Sequence, residues 1–214
     1  RVPSRSEAAG GEMLLADVSE VRLDLGLDDM TDINEAISAA LHAAEPMLAA
    51  RIGTEFSEVS LTDTFYANEP GYVSGRSVQT EFRLTRGFVQ TVTSVKRADL
   101  LDGLASGISY LSDVVQDKEK GVIRDFRFPY WRQFVQVAYT AGFPAKENDA
   151  TSYDLTKVPA WLQQAAKLRA KVLLAGSPSL ESAQIKIDVK TLTAELNALL
   201  ASKVRYAPVA LLPM

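Results

Sequence analysis

The chain has 214 residues, 47% of them hydrophobic, and a formal net charge of −4. That is enough apolar material for a packed core, and the acidic balance argues against a surface that grips nucleic acid through clustered Lys and Arg. There is no cysteine and one histidine, His42. Disulfides, thiolate metal sites and cysteine nucleophiles are excluded, and a His-dependent triad or metal site would rest on His42 alone.

Arg1 to Glu12 is polar and small-residue rich, with Gly10-Gly11, and reads as a mobile arm. It lacks the apolar core of a signal peptide, and no apolar run in the chain is long enough to span a bilayer. The expectation is a soluble protein assembled inside the cell. Val18 to Leu25 is a short helix candidate, with Asp17 or Ser19 as cap and Gly26 as stop. The acidic turn that follows carries Asp24, Asp28, Asp29 and Asp32. The EF-hand spacing and its closing Glu are missing, so these residues read as caps and solvation for the next helix.

Ile33, Ile37, Leu41, Ala44, Leu48 and Ile52 recur at helical spacing. They predict a helix over Ile33 to Ile52, kinked or broken at Pro46. His42 lies at the edge of that stripe and reads as a boundary residue with no catalytic partner. Gly53 closes the helix, and the character turns to strand.

Val59 and Leu61 alternate with polar neighbours, a short strand. Glu69-Pro70-Gly71 is a turn. Gln79 to Arg86 and Phe88 to Val95 flank Gly87 and predict an antiparallel hairpin, with Phe82 and Leu84 alternating, and Val89, Thr91 and Thr93 alternating. Asp102-Gly103 and Ser106-Gly107 mark another turn region. Ile108 to Val115 reads as a further strand, Asp117 to Gly121 as a charged turn with Lys118 and Lys120 in solvent, and Val122-Ile123 as an extended restart.

Phe126, Phe128, Tyr130, Trp131 and Phe134 cluster beside Arg124, Arg127 and Arg132. A single-strand nucleic-acid platform uses such residues, but core packing with flanking surface arginines is the better account. Val135, Val137 and Tyr139 then alternate with Gln136, Ala138 and Thr140: a strand with one buried face, which the rest of the chain is expected to close over. Gly142 and Pro144 end it.

Phe143 to Lys157 reads as a long polar connection, a candidate contact loop. Pro159 opens a helix with Trp161, Ala165, Leu168 and Val172 as its stripe. Gly176-Ser177-Pro178 stops it. Ile185, Ile187 and Val189 alternate as in a short strand. Val189, Leu192, Leu196, Leu199 and Leu200 form a last amphipathic helix with Asp188 as cap. Lys203 to Met214 (KVRYAPVALLPM) is apolar and proline-bearing. An uncovered tail of this kind is a liability, so it is expected to dock on its own domain, a neighbouring copy or another partner.

The expected fold class is α+β: a helical bundle with an antiparallel β-hairpin or sheet insertion and an extended C-terminal tail. The expected parts are an arm (1–12), a main domain (13–176), a C-terminal strand and helix (177–202) and the apolar tail (203–214).

Four stretches in order resemble the head–tail connector (adaptor) family of tailed bacteriophages: VRLDLGLDD, AARIGTEFSEVSLTDTFYA, FRLTRGFVQTVTSV, and VQVAYTAGF followed at a distance by VPAWLQQAAKL. They span Val18 to Leu174. The resemblance implies a structural virion protein of the neck, between capsid and tail, assembled in the host cytoplasm. It implies a ring, commonly of twelve copies, bound to the portal protein. The ring extends a DNA channel, through which packaged DNA passes without sequence-specific binding, and gives a downstream neck or tail protein its platform. It implies no enzyme activity, catalytic residue, cofactor, metal or membrane. The loop Phe143 to Lys157 and everything after Gly176 depart from the smaller members.

A ring needs one patch to complement a different patch on the next copy. The candidate patches are Tyr130, Trp131 and Phe134 in the aromatic segment, and Tyr206, Val209, Leu211, Leu212 and Met214 in the tail. Two other classes compete. One is a different neck or tail ring, such as a tail-completion or terminator protein, which the helix-rich beginning and end fit less well. The other is a small carboxylate-dependent hydrolase or glycan-binding module. The 27 Asp and Glu always offer a pair for it, but no motif places one.

Overall fold

The computed structural model describes residues 13–67, 81–99, 101, 103, 108–109, 115–124, 133–147, 149–182 and 185–203. The chain divides into two compact units. One is helical and takes the chain up to Gly53 and again from Phe143. The other, Thr54–Gly142, is β-rich. The fold is therefore α+β, as expected. The chain leaves the helical unit at Gly53 (φ 83°) and the β unit at Gly142 (φ 90°). At Gly142 a Cβ would stand 2.2 Å from the Ser57 carbonyl oxygen, so only glycine fits there.

In the helical unit, α1 (Val18–Asp24) starts at Asp17, whose carboxylate accepts from the Ser19 amide. It ends in a Schellman turn: Gly26 has φ 71°, its N–H donates to Leu23 O, and the Leu27 N–H donates to Arg22 O. A short 3-10 turn, Thr31–Ile33, leads into α2 (Asn34–Ile52). Neither entry carries a side-chain cap. The capping role expected of the acidic turn is therefore overturned: the 3-10 turn places Ile33 at the helix entry. Pro46 does not break α2, which runs through it with Pro46 on the exposed side. Every member of the expected stripe, from Ile33 to Ile52, is buried.

The expected polar connection after Phe143 is instead a hairpin of β8 (Ala145–Lys146) and β9 (Asp149–Tyr153). Leu14 joins it as a parallel bridge to Ser152, giving its N–H to Thr151 O and accepting from the Tyr153 N–H. Phe143 and Tyr153 anchor its ends in the core, each 1% exposed, with rings 6.1 Å apart edge to face. The Tyr153 hydroxyl reaches α2 and donates to Glu45 at 2.6 Å.

Pro159 stands just before α3 (Ala160–Leu174). The face of α3 keeps Ala165 and Leu168 of the expected stripe but not its ends. Leu162, Ala165, Ala166, Leu168, Ala170 and Leu174 are buried, whereas Trp161 and Val172 are half-buried. The reason is that α3 packs against both α2 and the last helix, so its apolar face is broad and centred on small residues. Lys167 and Lys171 pair with Glu20 and Asp24 of α1.

After Gly176, Pro178–Ser182 forms a short helix, α4. The strand expected through Ile185 and Ile187 is absent. Residues 185–188 are irregular, and Val189 begins α5 (Val189–Ala201), capped by Asp188 through the Thr191 amide. The alternation there is too short to specify a partner. Leu196 and Leu200 face inward, whereas Val189 is 42% exposed.

In the β unit, a four-stranded antiparallel sheet has the order β1 (Val59–Ala67), β7 (Gln133–Ala141), β3 (Val89–Ala98), β4 (Ile108–Ser109). The strand built on Val135, Val137 and Tyr139 is inner and pairs along its length with β1 and β3. A second sheet has the order β2 (Glu81–Arg83), β6 (Val122–Arg124), β5 (Val115–Asp117). The two sheets share one core: Phe82, Leu84 and Ile123 meet Val92, Val95, Val135, Val137 and Tyr139.

The hairpin expected around Gly87 does not form. β2 pairs with β6, and β3 pairs with β7 and β4. The backbone donors of the intervening bend are taken elsewhere. Leu84 N–H goes to Gly121 O, Phe88 N–H to Glu119 O and Val89 N–H to Lys118 O, all in the β5–β6 turn. Phe88 takes a positive φ of 53° to permit this. Within β3, two register shifts reset the pleat. Val89, Val92 and Val95 share the buried face, and the expected alternation of Val89 with Thr91 and Thr93 is lost. Of the strand expected over Ile108 to Val115, Ile108–Ser109 pairs in the first sheet and Val115 begins β5 in the second, and residues 110–114 lie outside the described residues. The charged turn at Lys118–Gly121 stands as expected, with both lysines exposed.

The arm (1–12), the Glu69-Pro70-Gly71 turn, residues 125–132 and the tail from 204 onward lie outside the described residues.

Candidate assembly surfaces

Of the eight candidate interface residues, only Phe134 falls among the described ones. It is half-buried at the start of β7, and its ring lies 4.9 Å from that of Tyr66, its register partner on β1. Tyr66 is 47% exposed. The pair is thus an apolar corner open on one side; Phe126, Phe128, Tyr130 and Trp131 of the expected aromatic cluster lie outside the described residues. Tyr130, Trp131, Tyr206, Val209, Leu211, Leu212 and Met214 lie outside the described residues.

That corner belongs to the second face of the four-stranded sheet. The pleat puts Ser60, Thr62, Thr64 and Tyr66 of β1 beside Thr140, Ala138, Gln136 and Phe134 of β7. The β1 residues are exposed and the β7 residues half-buried. Ser60 and Thr140 hydroxyls meet at 3.4 Å. Beside the Tyr66–Phe134 pair and two alanines, this face carries hydroxyls and the Gln136 amide, and among its described residues Lys96 on β3, which pairs with Gln136, is the one charge.

The opposite face has one carboxylate at its edge. Asp63 of β1 accepts from the Thr85 N–H at 2.6 Å, the Thr85 hydroxyl at 2.9 Å and the Tyr139 hydroxyl at 2.8 Å. The Tyr139 oxygen also accepts from the Arg86 N–H at 3.2 Å, and the Gly87 N–H donates to the buried Thr54 hydroxyl. Arg86 makes an ion pair with Glu55. Every group in this chain of bonds locks the bend at 84–88 to the sheet edge. Nothing in it is poised as a nucleophile with a base.

Four carboxylates are held below the usual range: Asp17, Asp149, Asp154 and Asp188. In each, the leading cause is a hydroxyl donor two or three residues on: Ser19, Thr151, Thr156 or Thr191. These are caps and side-chain turns, and they do structural work. Among the described residues no group of three or more His, Asp and Glu side chains is placed to hold a metal ion. No helix there is long and apolar enough to cross a membrane.

The helical unit has a cleft of about 140 Å³ between α2, α3 and α5. Leu48, Leu196 and Leu200 form its floor, and Arg51, Arg169 and Met47 its rim. No sequence motif marked it, because its residues come from three distant helices.

No protein family and no curated protein matches the chain. Solved structures resemble it along most of its length at low identity. A chain in the neck of an empty gene transfer agent particle, computed with C6 symmetry, is 18% identical over 93% of this chain and 94% of that one, with a TM-score of 0.45. A chain in the neck of the native particle, computed with C12 symmetry, is 17% identical over 92% of each, with a TM-score of 0.37. A chain in the virion of the native gene transfer agent particle is 19% identical over 91% of each, with a TM-score of 0.41. Superposition at that level leaves the function to be argued from the chain's own residues.

Proposed function

We propose that this chain is a structural neck protein of a phage-like particle, a head–tail connector that performs no chemistry. Copies of it, twelve by the family resemblance, form a ring on the portal protein. The ring extends the channel for packaged DNA and seats the next neck or tail protein. The chain resides in the virion and is assembled in the host cytoplasm.

The observation that carries this reading is the placement of the resembling stretches. VRLDLGLDD is α1 with its glycine turn. AARIGTEFSEVSLTDTFYA is the end of α2, Gly53, and β1. VQVAYTAGF is the inner strand β7 and its stop at Gly142. VPAWLQQAAKL is the helix that packs on both α2 and α5. Three of the four therefore sit on the element types the resemblance implies. FRLTRGFVQTVTSV is the departure, being split between two sheets. Two further points support the reading. A net charge of −4 favours a channel that releases few counterions and does not hold DNA. The hydroxyl-rich face of the sheet, on which Lys96 is the one charge among the described residues, is available to a neighbour.

The test is co-sedimentation of the purified protein with portal particles, with electron micrographs of the mixture. The expected result is ring density on the portal, lost on deleting Tyr206 to Met214 while circular dichroism stays unchanged. Absence of portal binding, or absence of the chain from purified particles, overturns the proposal.

A further inference from the structure

The cleft between α2, α3 and α5 presents two guanidiniums without a carboxylate. Arg169 directs Nε and Nη2 at the Met47 sulfur, at 3.2 and 2.9 Å. Arg51 donates to the Asn197 amide oxygen at 3.3 Å. A thioether is a weak acceptor, and an amide is neutral. Neither arginine meets an acid among the described residues. On the same helix, Lys167 and Lys171 each have one. In a chain with 27 acids and 23 bases, two adjacent cations left over above an apolar floor mark a place for an anion with apolar neighbours.

The matching group lies at the other end of α2. Asp28, Asp29 and Asp32 are exposed, and none pairs with a base among the described residues. They do not cap the helix either. Met30, half-buried, stands between them. Arg51 is in the last turn of α2, and Asp32 just precedes its first. At about 1.5 Å per residue the two patches lie on the order of 25 Å apart on one helix. A chain cannot fold its own acidic turn into its own cleft.

We infer that the Arg51–Arg169 cleft receives the acidic turn Asp28–Asp32 of a second copy of this chain. The contact joins unlike patches, so it propagates head to tail and closes into a ring when the rotation per copy permits. It deepens the ring reading above and rests on it for closure, while the contact itself needs only two copies. Met30 rests over Leu196 and Leu200, and the carboxylates take the guanidinium N–H donors.

The test is a charge swap read by sedimentation velocity on the full chain at low and high salt. Wild type associates at low salt and dissociates as salt rises. Arg169→Gln weakens association on the order of tenfold. Arg51→Glu with Arg169→Glu, and separately Asp28→Lys with Asp29→Lys, each abolish it, and mixing the two variants restores it. All four positions are exposed or half-buried on the surface of folded helices and turns, and far-ultraviolet circular dichroism confirms that each variant is folded. A monomeric wild type at every concentration, association untouched by the substitutions, or no recovery on mixing overturns the inference. If the swap fails while portal co-sedimentation persists, the contact falls and the neck reading stands. If the swap succeeds without portal binding, the reverse holds.

Discussion

The Tyr139 hydroxyl donates to the Asp63 carboxylate at 2.8 Å, tying the inner strand of the four-stranded sheet to its edge strand. The Tyr139 ring is 1% exposed, so its oxygen cannot turn to bulk water if the partner is lost. The same carboxylate holds both donors of Thr85. One inward carboxylate thus fixes the bend at 84–88, and a charge on the inner face of an edge strand also discourages unwanted strand pairing. Asp63→Ala leaves three donors without their acceptor and should cost about 2–3 kcal/mol. Tyr139→Phe removes one of them and should cost about 1 kcal/mol. Urea unfolding of both variants measures the order.

Glycine is required at Gly142 by sterics and at Gly26 only by φ. A Cβ at Gly142 would meet Ser57 O at 2.2 Å and Phe56 O at 2.6 Å, all backbone. At Gly26, with φ 71°, nothing lies within 4 Å. Gly26→Ala should therefore cost about 1 kcal/mol for the left-handed conformation alone. Gly142→Ala should cost at least about 3 kcal/mol, because the strand end must move. Thermal melts of the two variants separate the cases.

Asp17 caps α1, and its carboxyl is held below the usual range chiefly by the Ser19 hydroxyl, against an opposing desolvation. A depressed folded pKa contributes stability that is complete above the unfolded value, near pH 4, and fades as pH falls through the folded value. Wild type should therefore lose part of its melting temperature in the acid range below about pH 4. Asp17→Asn keeps the acceptor and should flatten that part of the profile. Asp17→Ala should cost about 1 kcal/mol at neutral pH. Melts from neutral to acid pH for the three proteins check the sign.

The buried face of α3 runs through Leu162, which is fully buried, with Val172 at its margin. Leu162→Ala should destabilise the protein by about 3 kcal/mol and Val172→Ala by less than about 1.5 kcal/mol. The reverse order in denaturant midpoints would mean that the ends of the sequence-predicted stripe, Trp161 and Val172, are packed as tightly as its buried centre, Ala165 and Leu168.

Much of the helical unit was legible locally. The α2 stripe, the Asp17 and Asp188 caps and the glycine stops were readable because helical hydrogen bonds close within four residues. A cap and a stripe are complete in one window of sequence. Val135, Val137 and Tyr139 were readable as a buried strand face for the same reason: the pleat has period two wherever no bulge intervenes. The chemistry of the candidate surfaces was far less legible. Asp63 and Tyr139 are 76 positions apart, and Met47 and Arg169 are 122 apart. No spacing rule connects them.

Composition and local periodicity alone established an α+β protein without thiol chemistry, with a long helix, a strand buried on one face and a helix after Pro159. They did not decide which strands are neighbours. The segments on either side of Gly87 looked like a hairpin, yet their backbone donors go to the turn at Lys118–Gly121, and the bulges of β3 follow from its pairing with β7. Strand partnership is a contest among all exposed backbone groups for the available acceptors, settled by which arrangement buries the shared core. Only the folded chain records the outcome.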